Sequence, residues 1–145
     1  MHLNEQFRRK GFDSRIIAPS SRSDSDIHRD FIPMGRPVPV PSGGSIARVS
    51  LSVWMRPKIW RLMEHEKFDV IHLHEPFASA VTLSALTFNY GDIPTKVGTY
   101  HTFKGSHLYK LFSSRILRRY SDLLHGQIAV SEPARAFISA HIPGD

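Results

Sequence analysis

Phe68-Asp69-Val70-Ile71-His72-Leu73-His74-Glu75-Pro76 is the stretch on which the reading of this chain turns. Val70 to His74 is short, rich in branched apolar side chains and closed by Glu75-Pro76, so it reads as a buried strand. The same alternation continues downstream. Pro76 to Phe88 is a mostly apolar helix, and Lys96 to Tyr100 a second strand. Leu108 to Leu124 is a long helix with Leu108, Phe112, Ile116 and Leu123 on one face. Gln127 to Val130 is a third strand, and Glu132 to His141 a closing helix. Short apolar strands alternating with helices predict the α/β class: a Rossmann-like parallel sheet with helices on both faces.

Upstream of that stretch the pattern is less regular. Leu3 and Phe7 have helical spacing, Arg8-Arg9-Lys10 suit a helix C-terminus, and Gly11 is a natural stop. Arg15 to Ala18 reads as a short strand closed by Pro19, and residues 20–30 as a polar loop. Phe31 to Val40 is extended, but Pro33, Pro37 and Pro39 confine it to a sheet edge or a polyproline segment. Ser42-Gly43-Gly44-Ser45 is a turn, and a helix follows from about Trp54 to Lys67, with Met55, Ile59 and Leu62 as its buried stripe.

The chain has 145 residues, 41% of them hydrophobic and 22% charged, which predicts one globular domain over residues 1–145. With no cysteine, disulfides and thiolate metal sites are excluded, and a reducing cytoplasm suits the composition. No apolar run approaches the ~20 residues of a membrane span. A net charge of +6 favours an anionic partner. A nucleic-acid binder would need aromatic platforms among its basic residues, or a recognition helix. Neither is present, so no nucleic-acid partner is predicted.

Ligands of parallel α/β sheets bind outside the carboxyl ends of the strands. That rule selects His74-Glu75-Pro76, His101-Thr102-Phe103-Lys104 and Ser131-Glu132. Each has an ordinary alternative: His101 as a loop residue, Glu75 as a carboxylate at a helix start, and Ser131 as an N-cap. His72 and His74 share a strand face and have zinc-chelating spacing, but no third ligand is evident, so no metal is predicted. Trp54, Lys58, Arg61 and His65 form a stripe along one helix, either a solvated face or a surface that meets an anionic membrane.

The segment Phe68 to Pro76 resembles the fourth-strand signature of family 4 glycosyltransferases, and Thr99-Tyr100-His101-Thr102 resembles their strand-to-loop histidine motif. Gln127 to Glu132 is similar to the segment before their interdomain crossover. Pro39-Val40-Pro41 and Gly44 to Arg48 resemble the phosphatidylinositol mannosyltransferase branch. The resemblance implies the N-terminal, acceptor-side half of a GT-B fold. It also implies retaining transfer of a hexose, with mannose as the branch's sugar, to a lipid-linked or phosphoinositide acceptor. The donor would be GDP-mannose or a UDP-hexose, held mainly by a C-terminal domain, with no other cofactor and no metal.

Carried over by residue, His101 would approach the transferring sugar and the attacking hydroxyl. Arg48 would meet the acceptor phosphate, and Thr102, Lys104, His74 and Glu75 would line the acceptor pocket, with Glu75 either orienting His101 or capping the next helix. The lipid acceptor implies a cytoplasmic protein that binds peripherally to the inner face of the plasma membrane, through Trp54, Lys58, Arg61 and His65. The family's first strand, its glycine-rich loop and the C-terminal domain have no counterpart in the sequence. The fragment is therefore expected to be inactive alone and marginally folded, with two long unpaired sheet edges left by the missing first strand. The competing reading is a non-catalytic remnant that binds lipid or a partner.

Overall fold

The computed structural model describes residues 2–21, 29–42, 45–101 and 113–142. Helix α1 (His2–Arg9) ends on Arg8 and Arg9, and Gly11 reverses the chain with φ +88°. Strand β1 (Ile16–Ala18) runs parallel to β2 (Phe31–Pro33) in the register Ile17↔Ile32. Arg8 and Arg15 both reach the buried carboxylate of Asp30, at 3.1 and 3.7 Å, and so fasten α1 and the approach to β1 onto the start of β2. A charge this deeply buried is tolerable only when paired.

β3 (Val38–Ser42) and β4 (Ser45–Val49) form an antiparallel hairpin. The sequence reading anticipated an extended, proline-rich segment and its turn, but not β4 as a strand. Pro39 and Pro41 are two residues apart, so both direct their missing N–H to one edge and leave the other free to pair. A 3-10 turn (Val53–Met55) leads into α2 (Arg56–Glu66). Pro57, with no N–H to donate, sets that start two residues later than expected, so Trp54 precedes the helix rather than opening it. Lys67, at φ +50°, ends it. Ile59 and Met63 are its buried residues, while Met55 and Leu62 are only partly covered.

β5 (Val70–His74), β6 (Thr95–Tyr100) and β7 (Gly126–Ala129) form a parallel sheet in that order. α3 (Ala80–Leu86) starts four residues later than expected because Ser79 is its N-cap, in a capping box with Thr82. Residues 102–112, which include the first turns of the predicted 108–124 helix, lie outside the described residues; α4 (Ser114–Ser121) is its remainder. Its buried apolar side chain is Leu117 rather than Ile116, which is 45% exposed. α5 (Glu132–His141) has the expected bounds, capped by Ser131. The core joins α2 and α3 to the β5–β6 sheet through Ile59, Met63, Leu73, Phe77, Leu86 and Tyr100.

The parallel strands thus form two separate sheets, β1–β2 and β5–β6–β7, and no strand joins them among the described residues. A cleft of about 1270 Å³ is lined by residues of both β1 and β5. Asp69 and Glu75 bond to β6 through their main chains, so the intervening main-chain groups of Val70, His72 and His74 alternate toward the opposite edge.

Candidate functional site

At the C-terminal end of β5 the cleft is bordered by His74, Glu75 and His101. Their meeting follows from strand register. His74 pairs with Thr99, two residues before His101, so β5 and β6 deliver the two imidazoles side by side at one rim. Nδ1 of His74 lies 3.0 Å from Nε2 of His101, and the rings stack with centroids 5.3 Å apart. His72 stacks behind His74 at 4.6 Å, and its Nε2 is 2.6 Å from the Thr99 hydroxyl. The Glu75 carboxylate accepts the main-chain N–H of His101 at 2.6 Å.

Burial holds the His72 and His74 imidazoles below their ordinary range, and neighbouring histidines add to the effect: His101 for His72, then His72 and His101 for His74. Glu75 works in the opposite direction on His74. His72 and His74 thus favour the neutral form, in which each ring can give one hydrogen bond and accept another. Beneath it, Tyr100 is buried and its hydroxyl donates to Gln127 at 2.9 Å, which ties β6 to β7. Burial pushes the Tyr100 phenol strongly upward, so it remains protonated. Among the described residues no three metal-binding side chains converge on one point.

The remaining predicted residues are placed differently. Arg48 lies in β4, paired with Pro39, within the hairpin whose Val40 and Val49 line the same cleft. Thr102 and Lys104 lie outside the described residues. Trp54, Lys58, Arg61 and His65 are all exposed, Trp54 by 88%, along the 3-10 turn and α2. None of the four is among the residues bordering the cleft, although His65 lies 3.6 Å from the carboxylate of Glu66, which is. No helix among the described residues is long and apolar enough to cross a membrane. The sequence reading did not single out Thr99 as a partner of His72. The signal was present in the parallel register, which sets His72 against Val97 and His74 against Thr99.

The chain is 34% identical over 135 residues to a phosphatidyl-myo-inositol mannosyltransferase of Mycobacterium leprae, covering 93% of this chain and 35% of that protein. It is 35% identical over 135 residues to the protein of the same name from Mycobacterium tuberculosis (strain H37Rv), with the same coverage of 93% and 35%. A third, from Propionibacterium freudenreichii, is 34% identical over 148 residues, covering 98% of this chain and 38% of the relative. The chain therefore spans little more than a third of the length of these relatives. The profile of Glycosyltransferase Family 4 matches residues 1–145, and with the parallel sheet and its rim of histidines in place, the chain belongs to that family.

Proposed function

We propose that residues 1–145 form the acceptor-side half of a retaining transferase that moves mannose from a sugar nucleotide, GDP-mannose, to the inositol ring of a phosphoinositide lipid. The observation that carries this reading is the His74–Glu75–His101 cluster at the strand ends of a chain 34–35% identical to mannosyltransferases of that acceptor class.

His101 stands at the mouth of the cleft with its ring held from one side, where it can hydrogen-bond a sugar or an attacking hydroxyl. Arg48, paired with Pro39 in the β3–β4 hairpin, is the residue assigned to the acceptor phosphate in this reading, because a planar guanidinium suits that group. Thr102 and Lys104, one and three residues after His101, are assigned to acceptor binding in this reading on the family resemblance alone. The donor is held by chain outside residues 1–145, and the exposed stripe on α2 meets the anionic membrane that contains the acceptor.

The test is a chimera joining this chain to the portion of the Mycobacterium tuberculosis relative that it does not match. Transfer of labelled mannose from GDP-mannose to phosphatidylinositol is expected from the chimera and not from the 145-residue chain. His101→Ala is expected to lower the chimera's rate by about 100-fold or more, the loss typical of a misplaced or missing catalytic contact. A folded chimera that binds phosphatidylinositol vesicles yet transfers nothing would favour a binding remnant instead.

A further inference from the structure

Glu75 ends β5 in a left-handed conformation, φ +53°, which residues other than glycine seldom adopt. Its main chain is fixed from two directions. The N–H donates to the Thr99 carbonyl at 2.9 Å, and the carbonyl accepts the Ala78 N–H at 3.0 Å. Held this way, the residue turns its side chain toward the end of β6, where Oε1 accepts the His101 N–H at 2.6 Å. The alternative duty of a carboxylate here, capping the next helix, is already discharged by Ser79. The side chain of the strained residue thus reaches the main chain of the residue across the sheet.

The His101 ring is held as well. A bond between two imidazole nitrogens needs one N–H and one lone pair, so His74 Nδ1 and His101 Nε2 share a single proton across 3.0 Å. His74 is in turn backed by the stacked ring of His72, which Thr99 anchors. His101 is left with Nδ1 as its free ring nitrogen among these contacts.

We propose that Glu75 and His74 are positioning residues that clamp His101 at two points, its main-chain N–H and its ring Nε2, so that it meets a substrate through Nδ1 alone. The substrate clause rests on the proposed function, whereas the clamp can be read without it. The experiment is two-bond 15N–1H correlation on the 15N-labelled chain, which shows which ring nitrogen carries the proton. A single His101 tautomer is expected in the native protein. It should persist in His74→Asn, whose amide occupies the place of the imidazole Nδ1, and give way to an averaged pair in His74→Ala.

The His101 amide proton is expected far downfield, as for a short bond to a carboxylate. Glu75→Gln, which retains Oε1, should shift it little. Glu75→Gly, which allows the left-handed backbone but removes the acceptor, should return it to the ordinary amide range. An averaged His101 ring in the native spectrum, or an amide shift unchanged in Glu75→Gly, overturns the clamp; the native spectrum alone decides the ring bond if a variant does not fold. Titration with inositol 1-phosphate then tests the substrate clause. A shift confined to Nδ1 supports it, a shift at Nε2 overturns it, and a locked ring that ignores the ligand leaves the clamp standing while removing the proposed function.

Discussion

His72 and His74 are bases whose burial, with the charge of neighbouring rings, holds their proton affinity below the ordinary value of 6.5. The consequence for stability has a definite sign. Above about pH 7 both are neutral in the folded and unfolded states and contribute nothing. As the pH falls through 6.5 the unfolded chain takes up protons that the folded chain resists, so the native state loses stability. The melting temperature is therefore expected to fall between pH 7.5 and 5.5, a window above the range in which carboxylates titrate. A His72→Gln/His74→Asn double variant should show a smaller fall over the same window, measured by thermal unfolding followed by circular dichroism. A variant with an undiminished fall would assign the pH dependence to other groups. Lys96 is also buried, and its ammonium donates to the Asn89 side chain. Burial lowers its affinity for protons, while that bond gives the charge one partner.

At the scale of single elements, β6 owes its place to a glycine. A Cβ on Gly98 would come within 2.8 Å of Pro76 and 2.9 Å of Leu124, so the strand packs against both only because nothing projects there. Gly98→Ala is expected to destabilise the fold by about 1–3 kcal/mol, the usual cost of overpacking, read as a drop in the denaturation midpoint at constant slope. The exposed stripe on α2 permits an independent test. Lys58→Glu with Arg61→Glu should weaken co-sedimentation with anionic vesicles by tenfold or more, from ~1 kcal/mol per basic residue near the surface. It should leave thermal stability unchanged, since both side chains are exposed.

These elements also show what was legible in the sequence. β5, β6 and α5 were readable because their signals are local: a branched apolar run between breakers, or a serine cap followed by Glu132-Pro133. The start of α3 was not, because Pro76 and Phe77 suit a helix by composition but are buried in a turn that Ser79 terminates. β4 was hidden for a related reason, since its strand character depends on pairing with β3 rather than on its own residues. His74 and His101 could each be picked from strand ends, but their 3.0 Å contact depends on inter-strand register, to which single-strand periodicity is blind.

In the molecule as a whole, the parallel strands are divided unequally. β5–β6–β7 rests on a core that includes Ile71, Leu73, Phe77, Tyr100 and Leu117, and α3 packs beside β5. β1–β2 has three residues in each strand, none of them fully buried, and is held chiefly by the Asp30 ion pairs and α1. Between them the cleft exposes Leu3, Phe7, Phe12 and Val70, a group of apolar side chains that water contacts at a cost. Local opening follows buried apolar contact and hydrogen bonding, so the two sheets are expected to open independently. In native-state hydrogen exchange the amides of Ile16 and Met34, both bonded across β1–β2, should exchange at least about tenfold faster than those of Ile71, Leu73 and Gly98. That ratio corresponds to ~1.4 kcal/mol of difference in opening free energy. Asp30→Asn should widen the gap by releasing Arg8 and Arg15, raising exchange in β1–β2 while leaving β5–β6 unchanged. Equal protection across both sheets, with one sharp thermal transition, would instead show a single cooperative unit in which the Asp30 ion pairs and α1 bind the smaller sheet as firmly as the core binds the larger.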